Sequence, residues 1–162
     1  MGGRERPQVA RLSLEGAASS RNMRTMRVAL DRYIEAGSDA ATSGFRDAVA
    51  RTLRDSDRFR DIVARSAFQL AYQPVVSLAT GELHHFEALA RFSKDTSPAE
   101  TIQLAEDLEM IQAFDLSVVR SLLRELQGQP KTTRIAANLS AHSLMIDGFL
   151  DEILVLSGGS LE

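Results

Sequence analysis

The sequence contains no cysteine. That absence excludes a disulfide framework, a thiolate metal site and a cysteine nucleophile. No apolar run approaches the roughly 18 residues that a membrane-spanning helix requires. The first twenty residues hold Arg4, Arg6 and Arg11 but no apolar stretch of a secretory signal. A cytoplasmic protein without membrane attachment is expected. There is no Gly-x-Ser-x-Gly elbow and no glycine loop able to cradle phosphates, which disfavours a triad hydrolase or a P-loop enzyme. Too few aromatic residues accompany the N-terminal arginines to suggest an arm for binding a nucleic-acid polymer.

What is present is the composition of a globular protein, 44% hydrophobic and 25% charged over 162 residues. That length suits one domain, or a small core with a helical extension. The net charge of -3 hides an asymmetry: residues 1–65 carry 13 Arg against 9 acids, and residues 66–162 carry 6 basic against 13 acidic groups. Arginine-rich helix faces that are solvated or salt-bridged account for the first part. The change of sign suggests that two segments of different character meet near residue 66.

Residues 1–20 are Gly/Arg/Ser-rich and aperiodic, a flexible lead-in. Met23, Met26, Leu30, Tyr33 and Ile34 then form a helical stripe that stops at Gly37. Its heptad-like spacing leaves open both a short coiled coil and a helix packed on its own domain. A second amphipathic helix is expected from about Phe45 to Ala64. At Phe68 the period changes to two, with Phe68, Leu70 and Tyr72 alternating with Gln69, Ala71 and Gln73. Pro74, lacking an N–H, belongs at a strand end or edge. The Ala79-Thr80-Gly81-Glu82 turn leads into a second strand, Leu83 to Phe92. So short a connection can only join antiparallel neighbours.

Ser97-Pro98-Ala99-Glu100 has the form of a capping box with proline at the first helical position. A further helix is expected over Phe114 to Leu126, a third strand over Arg134 to Ser140 and a last helix over Asp147 to Leu156. This order opens a parallel α/β series. Ser157 to Glu162 reads as a linker or cloning scar. The chain thus divides into a lead-in with a two-helix linker (residues 1–66), an α/β part (67–156) and a tail (157–162).

Glu87 and Arg91 are four apart on one strand and project to the same face, with Leu89 between them. Such a pair is often an ordinary ion pair. Asn138 lies near the C-terminal end of the third strand, where α/β proteins place ligands, although an amide there can also cap a turn. His84 and His85 adjoin Glu87, but neighbours on a regular strand face opposite sides and do not share an ion. His142 belongs to a loop or helix start. The sequon Asn138-Leu139-Ser140 falls in a strand expected to be buried.

Taken together, these segments are more specific. YQPVVSLATGELHHFEALARF, from Tyr72 to Phe92, resembles the opening of EAL domains, with their Tyr-Gln-Pro strand, Thr-Gly turn and Glu-Ala-Leu-x-Arg strand. SPAETIQLAEDLEMIQAFDLSVV resembles the family's next helical stretch, with its Ala-Glu pair and its Ile-x-x-(Phe/Leu)-Asp segment. IAANLS resembles its Asn-x-Ser strand. The resemblance covers residues 68–156. It implies an α/β fold, the first part of a TIM-like barrel whose first strand is antiparallel, preceded here by a helical extension. It implies hydrolysis of cyclic di-GMP to linear pGpG with Mg²⁺ or Mn²⁺. By matching motif, Glu87 and Asn138 would be metal ligands, Arg91 would hold a substrate phosphate, and Gln73 and Leu89 would line the nucleotide pocket.

A TIM barrel takes eight strands in about 250 residues, whereas three strands are expected after residue 66. The family's later carboxylates, its Asp-Asp pair and its lysine lie beyond the last residue, so this chain alone is expected to be inactive. The alternative is a non-catalytic EAL-like module that binds a protein partner or the nucleotide. An upstream sensory domain is expected before the helices. An open third-strand edge, with Leu89, Ile135 and Ala137 facing inward and uncovered, favours a homodimer.

Overall fold

The computed structural model describes residues 18–36, 40–93, 97–130 and 132–158. The lead-in up to residue 17, the stop at Gly37 and the tail from residue 159 lie outside the described residues. The chain divides into two compact units, Met1–Asp55 and Ser56–Glu162.

In the first unit, α1 spans Ala18–Glu35 and α2, spanning Ala40–Arg65, begins. Gly44, at φ 71 and ψ 159, breaks the first turn of α2 from the rest, so regular helix starts at Phe45 as the periodicity predicts. The buried side of α1 is not the expected stripe. Thr25, Val28 and Ala29 are buried, while Met23, Leu30 and Ile34 stay exposed. On α2, Ala48, Val49 and Thr52 are buried as well, and Tyr33 meets Phe45 edge to face at 5.9 Å. Small side chains allow closer backbone approach than the methionine and leucine stripe would.

The division falls inside α2, upstream of residue 66, because Phe59 and Val63 belong to the core of the second unit. There α2 ends at Ser66, which takes φ 48. The Ala67 N–H returns to the Ile62 carbonyl at 2.8 Å, a Schellman-type closure. The chain then enters β1 (Gln69–Val76), β2 (Leu83–Arg91), α3 (Pro98–Asp107), α4 (Ile111–Leu126), β3 (Ile135–Ala137), α5 (Ala141–Leu144) and α6 (Phe149–Leu156). The sheet order is β1-β2-β3. The β1–β2 pair is antiparallel, as the turn length requires, and Gly81 supplies the positive φ of 73 in that turn. Pro74 sits in β1, an edge strand, where its missing N–H costs no ladder bond. The β2–β3 pair is parallel.

One face of the sheet is covered by helices. Phe59, Ala105, Ile111, Phe114 and Val118 form a buried cluster against which Phe68, Leu70, Ala90 and Phe92 pack. A second cluster of Leu116, Val119, Phe149 and Ile153 joins α4 to α6, and the Arg120–Glu152 ion pair at 2.9 Å spans the same helices. The third strand is shorter than its sequence suggests. After Ala137 the backbone turns away, and Ser140 caps the unforeseen α5 by accepting from the His142 N–H at 3.1 Å. His142 therefore stands at a helix start.

The α3 start is as expected: the Ser97 hydroxyl accepts from the Glu100 N–H at 3.4 Å, with Pro98 next in the chain. Ser97→Ala is predicted to lower stability by about 1 kcal/mol, the usual loss for an N-cap hydroxyl. An unchanged urea midpoint would show that α3 does not depend on this cap.

On the helix-covered face, the Tyr72 hydroxyl donates to Glu125 of α4. Burial first, then this bond and the Glu125 charge, push the phenol from 10.0 up to about 12. The folded chain keeps a proton that the unfolded chain loses near pH 10. The contribution is therefore complete below pH 10 and is lost as pH rises toward 12. In a Tyr33→Phe background, phenolate absorbance is predicted to rise near pH 12. Glu125→Gln should bring that midpoint only part of the way to 10, because burial remains. A parent midpoint at 10 would contradict the contact.

Candidate functional site

The other face of the sheet carries the candidate residues. Glu87 pairs with Gln73 across β1 and with Ala136 across β3. Leu89 pairs with Ala71, and Arg91 with Gln69. Residues in register share a face, and side chains alternate along a strand. Gln73, Glu87, Leu89 and Arg91 therefore line one side, and Asn138, two residues beyond Ala136, joins them. Gln73, Arg91 and Asn138 are exposed; Glu87 and Leu89 are half-buried.

Ile135 and Ala137 do not share this face, contrary to expectation. They pair with Phe86 and Ala88 and so lie on the helix-covered side, where Ile135, Phe86 and Tyr72 line a groove of about 390 Å³ with Glu125. Ala136, exposed, takes the position toward the open side.

The central contact is between Glu87 and Asn138. The Asn138 Nδ2 donates to Glu87 Oε1 at 2.5 Å, joining residues 51 apart in sequence. Glu87 does not form the ordinary ion pair with Arg91: among the described residues Arg91 has no salt-bridge partner. The two lie about 13 Å apart along the strand, so the guanidinium is left at the carboxyl end of β2 with its donors available. Asn138 neither caps a turn nor lies buried; its amide faces the carboxylate.

Glu87 Oε2 and Asn138 Oδ1 remain as hard oxygen donors beside one another, the donor type that Mg²⁺ and Mn²⁺ prefer. The donor set fits such an ion, as two of about six positions. Among the described residues, no group of three or more His, Cys, Asp or Glu could hold a metal.

The histidine pair behaves differently from a regular strand. The register shifts between Val75 and Val76, leaving His84 opposite no residue of β1. The bulge lets the His84 and His85 rings converge, with Nδ1 atoms 2.8 Å apart. The expectation that they face opposite sides is overturned, but they contribute only two ligands.

Beyond the carboxyl ends of β2 and β3 opens a cavity of about 400 Å³ lined by Leu89, Phe92, Glu106, Asp115, Asn138 and Ser140, among others. Crevices at this end of parallel strands are where α/β proteins bind ligands. Two of its carboxylates were given no role from sequence. Asp115 of α4 is 3% exposed and accepts from the Ser140 N–H at 3.0 Å. Glu106 of α3 accepts from the Ser140 hydroxyl at 2.6 Å. Burial pushes the Asp115 carboxyl above its ordinary value; the Ser143 hydroxyl and the Ser140 N–H oppose the rise, and the Glu106 charge adds to it. Of the two opposing groups, only Ser140 meets hydrogen-bond geometry. Ser143 Oγ is buried without a partner among the described residues. The signal for Asp115, Glu106 and Ser140 was in the Ala-Glu, Ile-x-x-(Phe/Leu)-Asp and Asn-x-Ser segments, whose roles only the fold reveals.

The chain is similar to known proteins. The sequence model of the family described as EAL domain matches residues 56–160. The cyclic di-GMP phosphodiesterase NbdA of Pseudomonas aeruginosa is 32% identical over 109 residues, 62% of this chain and 14% of that protein. A signalling protein of Caulobacter vibrioides is 31% identical over 117 residues, 68% of this chain and 14% of that one. Among solved structures, the Xanthomonas citri FimX EAL domain in complex with c-diGMP superposes with a TM-score of 0.57 at 24% identity, over 70% of this chain and 48% of that one. At that identity the likeness shows a shared mixed α/β fold. The chain spans about one seventh of the length of these two curated relatives and about half of the solved domain.

Proposed function

This chain belongs to the EAL domain family, and we propose from that premise that it supplies the first metal- and nucleotide-binding strands of a domain that hydrolyses cyclic di-GMP to pGpG. The observation that carries this reading is the Asn138–Glu87 contact on the open sheet face. It brings together the two residues whose motifs match metal ligands. A relative with 32% identity is a cyclic di-GMP phosphodiesterase, and a solved relative holds the nucleotide.

In this reading the three strands are part of a TIM-like barrel. Glu87 and Asn138 would hold Mg²⁺ or Mn²⁺, which would supply Lewis acidity toward water and offset phosphoryl charge. Arg91, at the carboxyl end of β2 and without a salt-bridge partner among the described residues, offers its planar fork to a substrate phosphate. Leu89, facing the cavity, gives an apolar surface to the nucleotide, and Gln73 an amide beside it. α1 and α2 link the domain to an upstream sensory domain in the cytoplasm. With two oxygen donors, the 162-residue chain by itself turns over no cyclic di-GMP.

The test joins this chain to the second half of a complete EAL domain and follows conversion of cyclic di-GMP to pGpG with Mn²⁺. Turnover supports the reading. Nucleotide binding without turnover in that completed domain would favour the non-catalytic module instead.

We also propose a homodimer. The outer edge of β3 has no strand partner among the described residues, and unpaired edges invite addition of another strand. Met145, Leu150, Leu154 and Val155 are exposed nearby in sequence. Light scattering is predicted to give twice the monomer mass at micromolar concentration. A monomer throughout that range would remove the dimer.

A further inference from the structure

Asn138 stands just outside the sheet. The β2–β3 register ends at the Ala88–Ala137 pair, so no strand pairing fixes the backbone of the residue whose amide meets Glu87. The next two residues are held firmly. Leu139 packs on the cluster of Leu116, Val119 and Phe149, and Ser140 is gripped twice. Its N–H goes to Asp115 on α4 at 3.0 Å, and its hydroxyl goes to Glu106 on α3 at 2.6 Å. The same hydroxyl accepts from the His142 N–H, so it both donates and accepts.

A carboxylate on the buried side of α4 is costly. Residues of this kind are almost never fully buried unless paired, and an apolar side chain would pack there without desolvation. Asp115 is the side chain that accepts from the Ser140 N–H, at a position 3% exposed. That bond fixes the turn two residues beyond Asn138.

We propose that Asp115 and Glu106 are positioning residues for Asn138: by clamping Ser140 they hold the Asn138 amide against Glu87. The inference deepens the metal-site reading and rests on it. Neither carboxylate needs to touch the ion. Each acts through the backbone of the loop, one step further from the ion than the partners that hydrogen-bond metal ligands directly, whose loss costs about 10–100-fold in metal affinity.

The test uses the 162-residue chain with two readouts: Mn²⁺ affinity from the free-ion EPR signal, and the side-chain NH₂ resonances of Asn138 by ¹⁵N NMR. Glu87→Ala is the reference for the metal reading. Ser140→Ala and Asp115→Ala are expected to weaken Mn²⁺ binding about 10–100-fold and to move the Asn138 resonances to those of a free amide. Asp115→Asn keeps an acceptor for the Ser140 N–H and should restore both within about threefold, a rescue that the 10–100-fold range makes readable. Ser140→Ala removes the hydroxyl that Glu106 holds and that caps the short α5, a smaller loss than a buried carboxylate, so it reports even if Asp115→Ala does not fold.

If folded Ser140→Ala and Asp115→Ala keep both the affinity and the Asn138 resonances while Glu87→Ala loses binding, positioning is refuted and the metal reading stands. If Glu87→Ala leaves Mn²⁺ binding intact, or the parent binds none, the metal reading fails. The Asn138 resonances then decide the positioning claim alone: a shift in the two variants sustains it, and no shift overturns it.

Discussion

In the completed domain, Glu87→Ala is expected to reduce conversion of cyclic di-GMP to that of the protein-free control. The carboxylate is the charged donor of the pair, and alanine leaves Asn138 as a single neutral oxygen. Glu87 is half-buried on the sheet face away from the helices, and its side-chain bond is to Asn138. Its loss should therefore cost as much stability as one hydrogen bond, roughly 0.5–1.5 kcal/mol, and leave the chain folded. Glu87→Gln separates two contributions. Its amide oxygen can still accept from Asn138, but the charge is gone, so structure is kept and turnover is lost. Activity surviving in folded Glu87→Ala would show that the metal assignment is wrong. The same assay on the 162-residue chain should give no turnover.

Phe114→Ala costs about 3–5 kcal/mol, the range for deleting a buried phenylalanine. Phe114 is 4% exposed and its ring meets Phe59 at 5.8 Å, Phe68 at 5.4 Å and Phe92 at 5.6 Å. One side chain thus joins α2, the lead into β1 and the end of β2 to α4. Three ring contacts break at once, and their partners cannot all collapse into the space. Domains of this size are stable by about 5–15 kcal/mol, so the second unit should be close to unfolding. Urea titration followed by far-UV circular dichroism measures it, with the exposed Leu154→Ala as comparator. A Phe114→Ala shift as small as that of Leu154→Ala would mean that the aromatic cluster is not the core.

The parts of the fold legible in the sequence are those fixed by neighbours along the chain. The turn of Ala79 to Glu82 is too short for anything but an antiparallel pair, and β1 and β2 form one. Ser97-Pro98 starts a helix because capping needs only the next three residues. The alternation from Phe68 and the run from Leu83 mark strands. Glu87, Leu89 and Arg91 share a face by period alone, and the quoted motifs identify the family.

Choices between faces needed the whole chain. The period of β3 shows that Ile135 and Ala137 share a side, but the parallel register with β2 decides that helices cover it. In α1 the stripe through Met23, Leu30 and Ile34 is as periodic as the line through Thr25, Val28 and Ala29. The folded structure buries the smaller residues. The end of β3 at Ala137, and with it α5, follows from Asp115 and Glu106 gripping Ser140 from helices 25 and 34 residues upstream. The sequence alone determined the family, the hairpin, the cap and the identity of the metal-site candidates, because each rests on local spacing. Only the tertiary structure decided that Glu87 meets Asn138 rather than Arg91, and that a buried carboxylate, Asp115, holds the Ser140 N–H two residues further on. Contacts across tens of residues are set by strand register and helix packing, which no local pattern encodes.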